Sequence, residues 1–267
     1  MDNDNVNYWH TVVNRALPDN IQGLWRLHMR RVYGDLMSRW RDNTKCNRML
    51  KTDLYEEATT PYNLIPLLQK NARIIGMDVS YEVAVLAKQR LQKEQNLRCD
   101  IVVCDTRKFA FKSGAFDQII SNSTLDHFSE RKDIAVALRE LSRILKPGGR
   151  LIITLDNPLN PMVFLRNRLP YRLLKSVGLI QYYVGKTLSK SQLIHLLELS
   201  GFKVQDTAFI DHTPRVLAVW VGYILQRIGN EAIKVYFYKL LNKCEYLERL
   251  PLRNFTGNFV AAKAIKE

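Results

Sequence analysis

The stretch that decides the fold runs from Phe116 to Asn157 and reads FDQIISNSTLDHFSERKDIAVALRELSRILKPGGRLIITLDN. A short apolar run around Ile119 and Ile120 ends in polar residues, which is typical of a buried parallel strand that opens onto a binding edge. Apolar residues then recur at the spacing of one helix face, at Ile134, Leu138, Leu141 and Leu145. The turn at 146–149 and a second apolar run follow. This order predicts a right-handed βαβ unit.

Similar units extend from this stretch in both directions. Segments with strand character end at Asp53, Asp78, Asp105, Ser121 and Asp156, and helical segments separate most of them. Helices are also predicted over 21–40 and from Thr60-Pro61 onward, and two late strands over 202–204 and 259–264. This alternation predicts an α/β fold with a doubly wound parallel sheet.

Composition limits the function classes. The 267 residues, 46% of them hydrophobic, predict one globular domain with elaborations, or at most two domains. The four cysteines form no CxxC pair and no Cys/His cluster, so we expect no metal site, no disulfide framework and a reducing compartment. The N-terminal residues lack the pattern of a secretory signal, and we expect a cytoplasmic protein without a membrane-spanning helix.

The net charge of +14 is concentrated in the last part of the chain. Residues 157–267 carry 16 basic and 7 acidic side chains, a balance of +9, whereas residues 51–100 are neutral with 7 of each. Two interpretations stay open: a well-solvated surface, or attraction to an anionic membrane or an acidic substrate. No nucleic-acid partner is expected, because no recognised RNA- or DNA-binding motif accompanies the charge.

Two carboxylates stand at the ends of successive predicted strands. Asp78 could accept both hydroxyls of a ribose, and Asp105 could accept from an adenine amino group. The alternative for Asp78 is a cap for the following helix, a position at which aspartate is common. The pair predicts a nucleoside site more specifically than either residue alone.

The order of these features resembles a class I S-adenosylmethionine-dependent methyltransferase of the small-molecule, methyltransferase-type-11-like branch. The features are Asp78, Asp105, FDQIISNSTLDHF, the amphipathic helix and LKPGGRLIIT. The resemblance implies a Rossmann-like sheet of seven strands, S-adenosyl-L-methionine as cofactor, and direct in-line methyl transfer. It further implies that Asp78 with Val79 binds the ribose, that Asp105 with Thr106 binds the adenine, and that Asn122 lies near the methionine part.

The chain departs from this family at the first strand. The family has a glycine-rich loop there, whereas residues 50–58 read LKTDLYEEA without a glycine. Asp53 is the candidate contact to the donor's amino group. Two explanations compete: an atypical subfamily that still binds the donor, which the presence of Asp78 and Asp105 favours, or a methyltransferase-like domain that has lost it and serves as a partner or binding module.

Acceptor-side candidates come from four positions. His127 could act as a general base, although a structural role is the stronger alternative. Asn157, His212 and Tyr182 are candidates for contacts with the acceptor. In the predicted organisation, 1–46 form a helical cap and 47–157 the cofactor-binding core. Residues 158–267 complete the domain, with lid insertions at 158–186 and 213–252.

The aromatic and apolar insertions favour a small, lipophilic acceptor or a surface that contacts a membrane peripherally. The alternative is a hydrophobic lid packed on the sheet. Two further classes are disfavoured. A nicotinamide-dependent oxidoreductase has GxGxxG after its first strand, and this sequence does not. An RNA methyltransferase of the NPPY type has an NPPY-like tetrapeptide after its fourth strand, where this sequence has NSTL at 122–125.

Overall fold

The computed structural model describes residues 12, 19–42, 44–68, 72–95, 99–170, 173–174 and 183–267. The strands are β1 (Arg48–Thr52), β2 (Arg73–Asp78), β3 (Asp100–Val103), β4 (Phe116–Asn122), β5 (Leu145–Asp156), β6 (Phe202–Ile210) and β7 (Phe259–Lys266). The helices are α1 (Asp19–Arg39), α2 (Tyr55–Thr59), α3 (Tyr81–Gln95), α4 (Arg131–Ile144), α5 (Pro161–Arg168), α6 (Lys190–Leu199), α7 (Arg215–Ile228), α8 (Glu231–Cys244) and α9 (Arg253–Thr256). Short 3-10 turns occur at Ile65–Leu67, Leu125–His127 and Glu245–Arg249.

All seven strands form one sheet in the order β3-β2-β1-β4-β5-β7-β6. The first five strands pair in parallel, and β7 lies antiparallel between β5 and β6. The strand order reverses direction at β1 and β4, which is the point where open α/β sheets bind ligands at their carboxyl edge. The predicted fold class, a doubly wound and mostly parallel α/β sheet, is confirmed.

Helices cover both faces of the sheet. On one face, α1 and α3 pack on the sheet together with residues of α7 and α8, and they bury side chains such as Trp25, Leu36 and Val83. On the other face, α4 and α6 bury Ile134, Leu138 and Leu193. Each buried apolar side chain of this size contributes about 1.5–3 kcal/mol relative to exposure, so these two layers hold the sheet rigid beneath the site.

Local signals set the bounds of several helices as predicted. The apolar face of α4 is fully buried, and the helix ends at Ile144. Leu145, predicted on the helix face, is the first residue of β5, and the predicted turn at 146–149, in which Gly148 adopts a φ of 72°, lies within that strand. Ser189 starts α6 with a capping box, in which its hydroxyl accepts from the Gln192 N–H and the Gln192 side chain accepts from the Ser189 N–H.

The structure corrects the prediction in the region after β1. The strand ends at Thr52, and the helix expected to open at Thr60-Pro61 instead occupies Tyr55–Thr59 and ends there. Thr60 has an extended backbone, with a φ of −146° and a ψ of 148°, and its N–H caps α2 by donating to the Glu56 carbonyl. Pro61 disfavours the helical conformation of the residue before it, so Thr60 ends a helix and does not begin one.

The late insertion forms a helical layer that consists mainly of α7 and α8. Helices α7 and α8 pack against each other and against α1, which joins the two ends of the described chain. Among the described residues, no helix combines the length and the apolar character needed to cross a bilayer. The division of the chain at 46/47 and at 157/158 stays a prediction.

Candidate functional site

A cleft opens at the carboxyl edge of β1 to β4. Its interior volume is about 60 Å³, and it is open to solvent at its mouth. Each of the four strands contributes residues from its end or from the loop that follows. The lining residues are Asp53, Tyr55, Met77, Asp78, Val79, Val83, Cys104, Asp105, Thr106, Thr124, His127 and Phe128.

Asp78 occupies the floor of this cleft at the end of β2. Its side chain is 7% exposed, and its two oxygens accept the N–H groups of Leu54 (2.9 Å) and Ser80 (2.8 Å). Burial and the neighbouring carboxylate of Asp53 raise the pKa of Asp78 to about 7, although the two N–H donors act in the opposite direction. A carboxylate oxygen has two lone pairs, so Asp78 can hold the β1–α2 loop and still accept a ligand hydroxyl.

Asp53 forms the turn where the family has glycine. Its φ of 64° lies in the left-handed region, in which a side chain other than glycine is strained and Asp is among the better tolerated residues. Its carboxylate accepts the Tyr55 N–H at 2.7 Å, so the side chain itself stabilises the turn. The buried side chain of Leu54 then packs onto Gly76 of β2, where a Cβ would lie 2.7 Å from a Leu54 methyl carbon.

A buried ion pair lies beneath the same loop. Lys51 of β1 donates to Glu57 of α2 at 2.9 Å, and the two side chains are 3% and 0% exposed. Burial opposes the charge of Lys51, but the carboxylates of Glu57, Asp53 and Glu56 outweigh burial and raise its pKa. The loop without glycine is therefore held in place by an ion pair between β1 and α2.

Asp105 lies at the end of β3 and carries its own counter-ion. Arg107 makes a bidentate contact with its carboxylate, and the shortest N–O distance is 2.7 Å. Burial opposes ionisation, but the guanidinium and the N–H of Arg107 outweigh it and lower the pKa of Asp105. Asp105 is therefore a charged acceptor at the wall of the cleft, and Thr106 beside it lines the same wall.

The wall at the end of β4 is completed by a segment that returns from the 158–186 insertion. The Gly185 N–H donates to the Asp126 carbonyl and the Lys186 N–H to the Phe128 carbonyl, both at 2.7 Å. A Cβ on Gly185 would lie 2.1 Å from the Phe128 carbonyl oxygen, so only glycine permits this approach. His127, which lines the cleft, has its Nδ1 3.3 Å from the Tyr183 carbonyl oxygen.

The structure brings most predicted cofactor residues together. Asp53, Asp78, Val79, Asp105, Thr106 and His127 all line the cleft. Asn122 ends β4 next to this group without lining it. Its amide is 8% exposed, and neither its oxygen nor its nitrogen finds a hydrogen-bond partner among the described residues. A buried amide left unpaired indicates room for a polar ligand group or water beside it.

The predicted acceptor residues lie elsewhere. Asn157 follows β5, but its amide donates to the carbonyls of Asn254 and Gly257 and accepts the Leu159 N–H, so it holds the loop before β7. The ring of His212 is buried between the Thr256 hydroxyl and the Phe209 carbonyl. Both side chains serve protein contacts and do not line the cleft. Tyr182 lies outside the described residues.

Residues 59–153 match a methyltransferase domain family of the type-11 class. Among curated proteins, the chain is 39% identical over 59 residues to a probable tRNA methyltransferase 9B of Mus musculus, which is 22% of this chain and 13% of that protein. It is 25% identical over 184 residues to a demethylmenaquinone methyltransferase of Lactococcus lactis, which covers 66% of this chain and 67% of that protein. The chain thus aligns with only a small part of several relatives.

Solved structures share the fold. A methyltransferase structure from Thermotoga maritima, described as a possible histamine N-methyltransferase, superposes with a TM-score of 0.58 at 16% identity, over 97% of this chain and all of that chain. At this identity the likeness concerns the fold. The matched domain covers residues 59–153, about a third of the chain, and over this part the chain resembles S-adenosylmethionine-dependent methyltransferases. The strand order and the position of the cleft agree with that likeness.

Proposed function

We propose that the protein transfers a methyl group from S-adenosyl-L-methionine to a small, lipophilic acceptor. The observation that carries this proposal is the cleft over β1 to β4, in which Asp78 and Asp105 stand at successive strand ends between apolar side chains. Paired carboxylates at these positions suit a ribose and an adenine amino group, and the apolar side chains suit the face of the adenine ring.

The cleft residues fit the donor as follows. Asp78 would accept the ribose hydroxyls, Val79 and Val83 would pack on the adenine, and Asp105 with Thr106 would bind its polar edge. The unpaired amide of Asn122 is a suitable partner for the methionine part. When bound, the donor supplies an electrophilic methyl group, and the protein would hold its position and exclude water.

The glycine-free loop is the feature that most favours the alternative, a domain that has lost the donor. In the structure this loop is ordered by Asp53, Asp78 and the Lys51–Glu57 pair, and it leaves Asp53 and Tyr55 on the cleft wall. This arrangement supports an atypical but intact donor site.

A lipophilic acceptor is supported by the exposed apolar surface of α5 and by one relative. Helix α5, which Arg166 anchors to Asp156 at 2.7 Å, exposes Met162, Phe164 and Leu165 by about half of their surfaces. The demethylmenaquinone methyltransferase, whose name indicates a quinone substrate, aligns over 66% of the chain. The probable tRNA methyltransferase 9B aligns over only 22% of this chain, which is consistent with a likeness limited to the part that would bind the methyl donor.

His127 lines the cleft together with Thr124 and Phe128. Its ring lies against the Tyr183 carbonyl. If Nδ1 donates to that carbonyl, Nε2 carries the lone pair and could accept a proton from a hydroxyl acceptor. We propose this role for His127 as a general base, with the structural role as its alternative.

A peripheral membrane contact would bring such an acceptor to the cleft. Helix α7 exposes Leu217 and Trp220 by 54% and 61%, and Arg215 and Arg227 lie on the same helix. Exposed apolar side chains beside arginines fit an anionic bilayer surface. We expect the protein to co-sediment with vesicles containing phosphatidylglycerol more than with pure phosphatidylcholine, and Trp220→Ser to reduce binding. Leu199→Ser, which changes a residue 67% exposed on α6, is the matched control.

The function is tested in two steps. Titration calorimetry with S-adenosylhomocysteine should give a micromolar dissociation constant, and no binding at millimolar ligand would leave only the donor-free alternative. Methyl-labelled donor is then supplied with a lipid extract or with total tRNA. Label in the organic phase is the expected result, whereas label in the tRNA would refute the lipophilic acceptor and keep the donor site.

A further inference from the structure

A second polar cluster lies outside the cleft, where α1, the end of β6 and the segment after α8 meet. It consists of His28, Asp211 and Glu245, whose side chains are 0%, 0% and 26% exposed. His28 Nε2 lies 3.3 Å from Glu245 Oε1 and 3.9 Å from Asp211 Oδ1. One nitrogen and two carboxylate oxygens therefore converge within 4.8 Å of one another.

Further residues orient each of the three side chains. Asn242 Oδ1 lies 3.0 Å from His28 Nδ1, so Nδ1 is the ring nitrogen that carries the hydrogen. The carboxylate of Asp211 accepts the Thr213 hydroxyl and the Asn258 amide. Oε1 of Glu245 accepts the His212 N–H at 3.0 Å. Such supporting bonds are the usual surroundings of metal ligands, because they fix the tautomer and the direction of the lone pairs.

The ring nitrogen that faces the carboxylates lies within ion-pair distance of Glu245 Oε1 but makes no hydrogen bond of acceptable geometry with any described residue. Nε2 of His28 is fully buried, and within the described part of the chain nothing pairs with it in acceptable geometry. Burying a polar atom without a hydrogen bond carries a free-energy cost. Some occupant between the imidazole and the two carboxylates would remove this cost, and it is either a proton on Nε2 or a cation.

The spacing suits a cation. Zinc and similar ions bind nitrogen and carboxylate oxygen at about 2.0–2.2 Å, so two of their ligand atoms stand about 3–4 Å apart. The two distances from Nε2, 3.3 and 3.9 Å, fall in this range. One imidazole with two carboxylates is a donor set for Zn²⁺ or Mn²⁺. The partial exposure of Glu245 leaves an entry path.

We propose that His28, Asp211 and Glu245 form a divalent metal site that clamps α1 to the late helical layer. The ligands come from three elements distant in sequence, so the ion would fix the packing of α1 against the chain around α8. The cysteine and histidine spacings of the sequence did not predict a metal site, because two of these three ligands are carboxylates. This inference is independent of the methyl donor, since its three residues lie outside the cleft.

The test uses the full chain stripped with a chelator and dialysed separately against Zn²⁺ and Mn²⁺. We expect about one ion per chain by elemental mass spectrometry, together with a rise in Tm of several degrees. Glu245→Gln, at the most exposed ligand, should weaken the tighter of the two ions at least tenfold and remove its Tm shift. His195→Gln, at an exposed histidine of α6, should change neither.

Two outcomes would overturn the proposal. The first is less than a tenth of an ion per chain at saturating Zn²⁺ and Mn²⁺. The second is equal metal content and equal Tm shift in the wild type and in Glu245→Gln. If that variant does not fold, His28→Gln provides the same comparison. A nitrogen-15 spectrum in which Nε2 of His28 stays protonated under saturating metal would also assign the position to a proton.

Discussion

The substitution Asp78→Asn tests the donor site most directly. The carboxylate sits on the floor of the cleft with both oxygens accepting backbone N–H groups, and one lone pair on each oxygen stays available. Losing a charge-assisted hydrogen bond to the ribose should weaken S-adenosylhomocysteine binding by about 1.5–3 kcal/mol, or about 10- to 150-fold. Asp100→Asn, at the opposite end of β3 and largely exposed, should leave the affinity unchanged.

The pKa of Asp78 adds a second signature. Burial raises it to about 7, so about one carboxylate in eleven is ionised at pH 6 and about ten in eleven at pH 8. A ribose hydroxyl donates to the ionised form, so affinity should rise about tenfold from pH 6 to pH 8. In Asp78→Asn this rise should disappear, because the amide does not titrate.

Asp78 also holds the β1–α2 loop, so a loss of affinity alone would be ambiguous. Calorimetry with the 2′,3′-dideoxy analogue of the ligand separates the two roles. The wild type should discriminate against the analogue, and Asp78→Asn should bind both ligands equally weakly. Equal discrimination by a folded variant, or an affinity independent of pH in the wild type, would refute the ribose assignment.

Three further predictions concern the same edge of the sheet. Lys51→Met should lower the free energy of unfolding in urea by about 3–5 kcal/mol, because it leaves Glu57 buried without its counter-ion. The double variant Lys51→Met with Glu57→Leu should recover most of this loss, and additive effects of the two changes would show that the two side chains do not interact. Burial raises the pKa of Glu56 to about 7, so the ionised form destabilises the fold as the pH rises. Glu56→Gln should therefore raise the free energy of unfolding by about 1–2 kcal/mol more at pH 8 than at pH 5.5. An equal effect at both pH values would show that the pKa of Glu56 is not raised. Gly185→Ala should lower turnover with little effect on donor affinity, since its Cβ would displace the segment beside His127; unchanged kcat would argue against this wall as the acceptor side.

Much of the fold could be predicted from the sequence. Buried parallel strands are short and continuously apolar, and a helix of strong amphipathic character such as α4 is unambiguous. The rule that parallel strands present their carboxyl ends at one edge then placed Asp53, Asp78, Asp105 and His127 in a single cleft before any coordinates.

The same rule could not say where side chains point. Asn157 and His212 follow strands at this edge, yet their side chains bond to the segment before β7, about a hundred and about forty residues away in sequence. A lysine in a sequence is ordinarily expected at the surface. Lys51 is buried because it pairs with Glu57, which lies on a helix of only five residues. Helix α2 itself is held by its packing against α3, a tertiary contact that local propensity does not contain.

The place of β7 in the sheet has a consequence for synthesis. It is the last strand in the chain, yet it lies between β5 and β6, and Asp156 pairs with Phe259. A growing chain that is elongated at about 5–20 residues per second therefore exposes the unpaired edge of β5 for several seconds before its neighbour is made. An open apolar edge invites pairing with other chains. Yield in the cell should therefore depend on chaperones that cover the nascent β5, more than on the stability of the finished fold.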